Sequence, residues 1–254
     1  TIAMTADYFG LSVSSIKKYI NDQDKLKAID FEIYNEVKKV QNELENIEKQ
    51  IGNNYFPNKE NVLRFMQLDL NKVKYIIVGM EPYPSSYIEN NQVIPEATGR
   101  SFEVSSVKSW NQKFKQSSLR NILKTIYFNK YNVKISLNEI REKILNKEFK
   151  IKEPKEWFDS LENQGILFLN ATLTVKPNNV DSHCKIWENF MNELIVYILN
   201  RNENIKWLLW GNKAQTRILP LVREENVICS CHPRLASFVD ENCFQYIKNI
   251  NFEG

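Results

Sequence analysis

The chain has 254 residues, 43% of them apolar and 26% charged, which is enough for one large α/β domain or for a domain of ordinary size with an appendage. Its 34 Lys and Arg against 31 Asp and Glu leave a formal charge of +3, which neither requires nor excludes a polyanionic partner. No segment approaches the roughly 18 unbroken apolar residues of a membrane span, and Thr1 to Ile20 lacks the continuous apolar stretch of a secretion signal, so a cytoplasmic chain without membrane contact is expected.

In chain order, Met4 to Ile20 comes first. Ala6, Phe9, Leu11, Val13, Ile16 and Ile20 fall at helical spacing around a break at Gly10, Ser12 can cap the second segment, and Lys17 and Lys18 lie on its polar side. The pattern is similar to a helix-turn-helix, although a structural pair of capped helices reads the same way. Asp24 to Ile51 predicts a long charged helix with Ile29, Phe31, Ile33, Val37, Val40, Leu44 and Ile47 on one face. Residues 1–52 are therefore expected to form a helical extension and 53–254 the main domain.

Beyond Asn53 short apolar runs alternate with helical stretches, the pattern of a mainly parallel sheet covered on both faces. Four runs stand out: Tyr75 to Val78, Ile166 to Leu169, Trp207 to Trp210 and Val227 to Cys231. They predict a three-layer α/β/α fold around four central strands. Phe128 to Lys155 predicts a peripheral pair of helices. Cys184, Cys229, Cys231 and Cys243 include no C-x-x-C pair, which argues against an iron-sulfur cluster and leaves buried thiols as the expectation.

Each apolar run ends in a polar or glycine-containing turn, and in open α/β sheets ligands bind beyond the carboxyl ends of the strands. The four turns predict one rim carrying Glu81, Tyr83, Asn170 and His232, with Phe102 nearby. A carboxylate, a phenol, an aromatic ring, an amide and an imidazole are the inventory of a nucleobase pocket: the ring stacks, the amide pairs with the base edge, and the acid and imidazole serve bond cleavage. Each residue alone has a plainer explanation, as a core ring, a turn cap or a loop histidine.

Several ordered segments carry a resemblance that covers about four fifths of the chain. They are YFPNKENVLRFMQLDLNKVKYIIVGMEPYP up to Pro84, GRSFEV at Gly99, SSLRNI at Ser117, QGILFLNATLTV at Gln164, SHCKIWENF at Ser182, WLLWGNKAQ at Trp207 and HPRLAS at His232. In this order they resemble the uracil-DNA glycosylase superfamily. The resemblance implies hydrolysis of the bond between base and deoxyribose, without metal or cofactor, on uracil flipped out of single- or double-stranded DNA.

It also implies roles residue by residue. Phe102 stacks on the base, Asn170 reads the N3 and O4 edge, Tyr83 excludes a C5 methyl, and Met80 through its main chain and His232 through its ring meet O2. Glu81 is the hydrolytic carboxylate. Ser117, Ser118, Asn212, Lys213, Arg234, Leu235, Ala236 and Ser237 touch DNA, and Arg217 adds a phosphate contact. A monomer is expected, with the N-terminal helices as a docking point for a protein partner or further DNA.

Four departures from the family pattern stand in the sequence. Glu81 replaces the usual aspartate and Pro84 the usual histidine of G-Q-D-P-Y-H. The last motif reads H-P-R-L-A-S in place of H-P-S-P-L-S, so strict register puts the short Ala236 at the DNA wedge, with Leu235 as the substitute if the loop shifts. The segment from Pro84 to Thr98 is longer than usual. These departures keep two alternatives open: a weakened or inactive DNA-binding homologue, and a glycosylase for another modified base.

Overall fold

The computed structural model describes the backbone from residue 31, and side chains from residue 38, through residue 254. The helix-turn-helix reading of Met4 to Ile20 and the first turns of the following helix lie outside the described residues. The chain divides into two units between Asn54 and Tyr55. In the first, helix α1 (Phe31–Ile51) stops at Gly52, whose φ of 65° and N–H bond to the Glu48 carbonyl (3.1 Å) form a left-handed C-terminal cap.

The second unit is built on a four-stranded parallel sheet in the order β4-β1-β5-β6, with β1 (Tyr75–Gly79), β4 (Ile166–Asn170), β5 (Lys206–Trp210) and β6 (Val227–Ser230). The four apolar runs are these four strands, shifted at their ends by a residue at most. β1 and β4 are buried along their whole length, which is why they read as unbroken apolar runs without alternation. From β1 the chain passes to β4 on one side and then to β5 on the other. This reversal leaves a crevice at the strands' carboxyl ends.

Strand alternation divides the core. Ile77, Phe168, Leu208 and Trp210 pack in one cluster with Leu119, Ile122, Leu123 and Ile126 of α2 (Ser117–Tyr131) and with Trp157, Phe158 and Leu161 of α4 (Pro154–Asn163). The spacing within α2 is i, i+3, i+4 and i+7, one apolar stripe. Fully burying each such side chain stabilises by about 1.5 to 3 kcal/mol, so this face anchors everything that α2 presents at its N-terminus. A second buried stripe, Trp187, Phe190, Met191, Leu194, Ile195 and Ile198, lies on α5 (Cys184–Arg201).

One expectation needs correction. Phe128 to Lys155 holds only one helix of its own, α3 (Leu137–Leu145), closed by a Ser136–Glu139 capping box. Its Ile140 and the following Phe149 are buried in the core and not peripheral. Within the long segment Pro84 to Thr98, β2 (Ser86–Glu89) and β3 (Gln92–Pro95) pair antiparallel across Asn90 and Asn91, both at positive φ, as a two-residue hairpin turn requires.

Candidate active site

Gly79 closes β1 where the backbone has no room for a side chain: a Cβ there would lie 2.5 Å from Asn170 Oδ1 and 2.6 Å from Ser101 Cβ. The chain after β1 is tied to the chain after β4 by Ala171 N–H to the Gly79 carbonyl (2.8 Å) and Thr172 N–H to the Met80 carbonyl (2.9 Å). Gly211, at φ 94°, does the same service after β5, because a Cβ would meet His232 Cβ at 2.8 Å. The strand ends thus approach closely enough to share one cleft.

That cleft has a volume of about 460 Å³, and Met80, Glu81, Tyr83, Phe102, Asn170 and His232 all line it. Ser118, Asn212, Lys213, Arg234 and Leu235 stand around it. Ser117, Ala236 and Ser237 are not in the lining. Ala236 opens α7 (Ser237–Glu241), and the Ser237 hydroxyl lies 3.2 Å from Cys231 Sγ. Arg217 is taken up by α5, donating to Asn192 Oδ1 (2.7 Å) and the Glu188 carbonyl (3.2 Å).

Asn170 is 2% exposed, and its side-chain amide has no hydrogen-bond partner among the described residues. The residue lines the cleft, so its amide is left to pair with the edge of a ligand there. Phe102 sits at φ 64°, a conformation that costs an aromatic residue about 1 to 3 kcal/mol. Ring burial offsets about the same amount, so something else must hold the segment. That is Arg100, buried two residues earlier, whose guanidinium donates to Glu103 (3.1 Å), to Asp159 (2.6 Å) and to Glu162 of α4. The Phe102 ring is 5.0 Å from Trp210 and 6.3 Å from His232, centroid to centroid.

His232 Nδ1 accepts the Arg234 N–H at 3.0 Å, which leaves the proton of a neutral imidazole on Nε2. Burial, and then the charge of Arg234, push the imidazole pKa below its ordinary value, so the ring is neutral at physiological pH. The loop beyond it is clamped by Asn121 of α2, whose Nδ2 donates to the carbonyls of Pro233 (2.7 Å) and Leu235 (3.0 Å). Leu235 is left 47% exposed at the cleft.

Glu81 is half-buried, and Oε2 accepts the main-chain N–H of Asp181 at 2.8 Å. Asp181 has φ 59°, and its carboxylate takes the Lys213 ammonium at 2.9 Å and the Cys184 thiol at 3.6 Å. Burial pushes the Glu81 carboxyl up, the Asp181 N–H opposes this, the Asp181 charge adds to it, and Lys213 subtracts. Glu81, Asp181 and Cys184 hold potential metal-ligand atoms within 4.8 Å of one another, but Lys213 already neutralises Asp181 there. The thiols are not uniformly buried as expected: Cys243 is, Cys184 and Cys231 are partly so, and Cys229 is exposed at the edge strand.

No family model matches the chain. It is 31% identical over 181 residues to a uracil-DNA glycosylase of Lachnoclostridium phytofermentans, covering 70% of this chain and 67% of that one. The chain belongs to the uracil-DNA glycosylase family. A uracil-DNA glycosylase of Helicobacter pylori is 29% identical over 199 residues, 76% of each chain. Among solved structures, the UNG of Nitratifractor salsuginis matches with a TM-score of 0.62 at 22% identity, over 77% of this chain and 80% of that one. The uracil-DNA glycosylase of mimivirus matches with a TM-score of 0.53 at 23% identity, over 85% and 66%. Both share the fold described above.

The family pattern singles out Glu81, Asn170 and His232 by position. Asp181, Asn121, Arg100 and Glu96 were missed. Asp181 immediately precedes the SHCKIWENF segment, and Asn121 and Arg100 lie inside quoted segments, but nothing in residue type announces a long-range clamp. Glu96 accepts from Ser85 (2.6 Å), Ser106 (2.9 Å) and Gln116 (3.0 Å), pinning both ends of the hairpin segment to the N-terminus of α2.

Proposed function

We propose that this uracil-DNA glycosylase removes uracil from DNA by hydrolysing the bond between base and deoxyribose, with Glu81 as the hydrolytic carboxylate. The observation that carries the reading is the Asn170 amide, presented to the cleft without a hydrogen bond inside the described protein, together with Phe102, Glu81 and a neutral His232. One amide offers an acceptor for uracil N3–H and a donor for O4; cytosine presents the reverse pattern and leaves both groups unpaired. Phe102 stacks on the flipped base, and the half-buried ring of Tyr83 fills the space that a C5 methyl needs.

The leaving uracil becomes anionic at O2, where His232 Nε2–H donates, assisted by the Met80 main chain. A neutral donor is enough, because its hydrogen bond strengthens as the charge develops. His232→Leu is expected to lower kcat by about 100-fold with little change in KM, as for loss of one oxyanion donor. Single-turnover and steady-state rates on one uracil oligonucleotide separate the two constants.

Glu81 holds the attacking water and stabilises the cationic sugar. Its extra methylene is taken up by the bond to the Asp181 N–H, which fixes one oxygen and leaves the other for water. A carboxyl raised by burial is ionised only above the ordinary glutamate range, so the acid limb of kcat/KM lies at higher pH than for an exposed glutamate. Asp181→Asn removes a raising charge, leaves Lys213 facing Glu81 and tolerates the left-handed backbone. The limb should move to lower pH in a pH–rate profile; a limb that stays in place contradicts the coupling.

Ser117 and Ser118 at the start of α2, Asn212 and Lys213 at the start of α6 (Asn212–Ile218), and Arg234 serve the DNA backbone. Leu235, exposed at the cleft, is the wedge; Ala236, the N-cap of α7, lies outside the cleft lining and is not. Mass spectrometry of bases released from DNA carrying uracil, thymine and modified pyrimidines tests the function as a whole. Uracil as the product supports it, and another base in its place overturns it.

A further inference from the structure

Arg120 of α2 and Arg141 of α3 are both held against one short segment, the residues that lead into α2. Arg141 donates through Nε to the Trp110 carbonyl (2.8 Å) and through Nη2 to the Gln112 carbonyl (2.7 Å), with its guanidinium 5.4 Å from the centre of the Phe114 ring. Arg120 donates through Nη2 to the Lys115 carbonyl (3.2 Å). Carbonyls fix both groups in place but bring no negative charge. Neither arginine has an ion pair among the described residues, and Nη1 of each, with Nε of Arg120, has no acceptor there. Arg100, by contrast, is met by the carboxylates of Glu103, Asp159 and Glu162.

Burial, and then the charge of Arg120, pull the Arg141 guanidinium below its ordinary value, so the two cations stand within range of each other's repulsion. Both stay charged, because arginine keeps its proton in proteins. Exposed Lys113 and Lys115 on the same segment add to the positive field. An anion placed at the pair relieves the repulsion, and the fork of N–H groups on a guanidinium fits the oxygens of a phosphate. The position says which phosphate. Arg120 follows Ser117 by three residues, so both lie on one side of α2, about 4.5 Å apart along its axis. Successive phosphates of a DNA strand advance by a comparable step, about 3.4 Å. A strand whose backbone meets the start of α2 therefore carries its next phosphate towards the pair.

We propose that Arg120 and Arg141 bind a phosphate of the DNA strand one step beyond those that flank the flipped uridine, extending the enzyme's footprint along the backbone. This rests on the uracil-excision reading. The test is fluorescence anisotropy of a labelled, uracil-containing strand of about 15 nucleotides over a range of salt concentrations. It compares the full chain with Arg120→Gln/Arg141→Gln and with Arg120→Gln alone, which keeps the Arg141 anchors. Excision from a uracil trinucleotide with hydroxyl ends, which has only the phosphates flanking the uridine, serves as a control for the cleft.

The double variant should bind the strand about fivefold more weakly at about 0.1 M salt, with the slope of log affinity against log salt reduced by about 0.7, as for one phosphate of a single strand. The single variant should lose part of this, and trinucleotide excision should hold in both. Unchanged affinity and slope overturn the proposal and leave the pair to another anion or to support of the segment before α2. An equal loss on the trinucleotide in both variants also overturns it, by tracing the effect to the cleft. Should only the double variant lose trinucleotide excision, the affinity and slope of the single variant decide. A wild type that binds the strand but releases no uracil defeats the excision reading alone, because the salt slopes still decide the phosphate site.

Discussion

Glu81→Gln is expected to lower single-turnover uracil excision by about 1,000-fold, within the range for loss of a general base, while DNA affinity holds or tightens. The substitution keeps the length of the side chain and an oxygen that can accept the Asp181 N–H. It removes the charge that stabilises the cationic sugar and the basicity that orients water. Removing a carboxylate from a cleft that receives a polyanion does not weaken binding, so anisotropy on the same oligonucleotide separates catalysis from affinity. A variant within tenfold of wild type would assign the carboxylate's role elsewhere.

Asn170→Asp is expected to cost at least about 100-fold in kcat/KM on uracil and to narrow the preference for uracil over cytosine. The side chain is 2% exposed at the end of β4 and packed over Gly79, so its replacement has no solvent to retreat to. A carboxylate has no donor for O4 and repels it. If it takes up a proton in that buried place, it can instead donate to N3 of cytosine and accept from N4. Competitive excision from matched uracil and cytosine oligonucleotides reads the ratio. An unchanged ratio would mean that Asn170 does not read the base edge.

Strand positions were legible because parallel strands buried on both faces leave short apolar runs such as Tyr75 to Val78 and Ile166 to Leu169, too short for helices and closed by polar or glycine-containing turns. Their convergence at one cleft followed from topology, and Glu81, Asn170 and His232 stand there. What stayed hidden is long-range. The Asp181 N–H on Glu81 is a main-chain group, so side-chain chemistry cannot announce it. Asn121 holds the Leu235 loop across 114 positions, and this contact fixes Leu235 and not Ala236 at the cleft. The hairpin was missed for a different reason. Tyr87 and Ile88 face Val93 and Ile94 across Asn90 and Asn91, a turn signal in plain view, but the segment was weighed by its length alone.

The replacement of the family aspartate is the point that matters most, because Glu81 Oε2 already accepts the Asp181 N–H in the cleft. Side-by-side single-turnover excision by the wild type and by Glu81→Asp, on one uracil-containing oligonucleotide cleaved with alkali, tests this most directly. The account predicts cleavage by the wild type and a slower rate for Glu81→Asp, whose carboxylate is about 1 Å too short to hold both the Asp181 N–H and the water. No cleavage by the wild type at high enzyme concentration, with activity restored in Glu81→Asp, would contradict it.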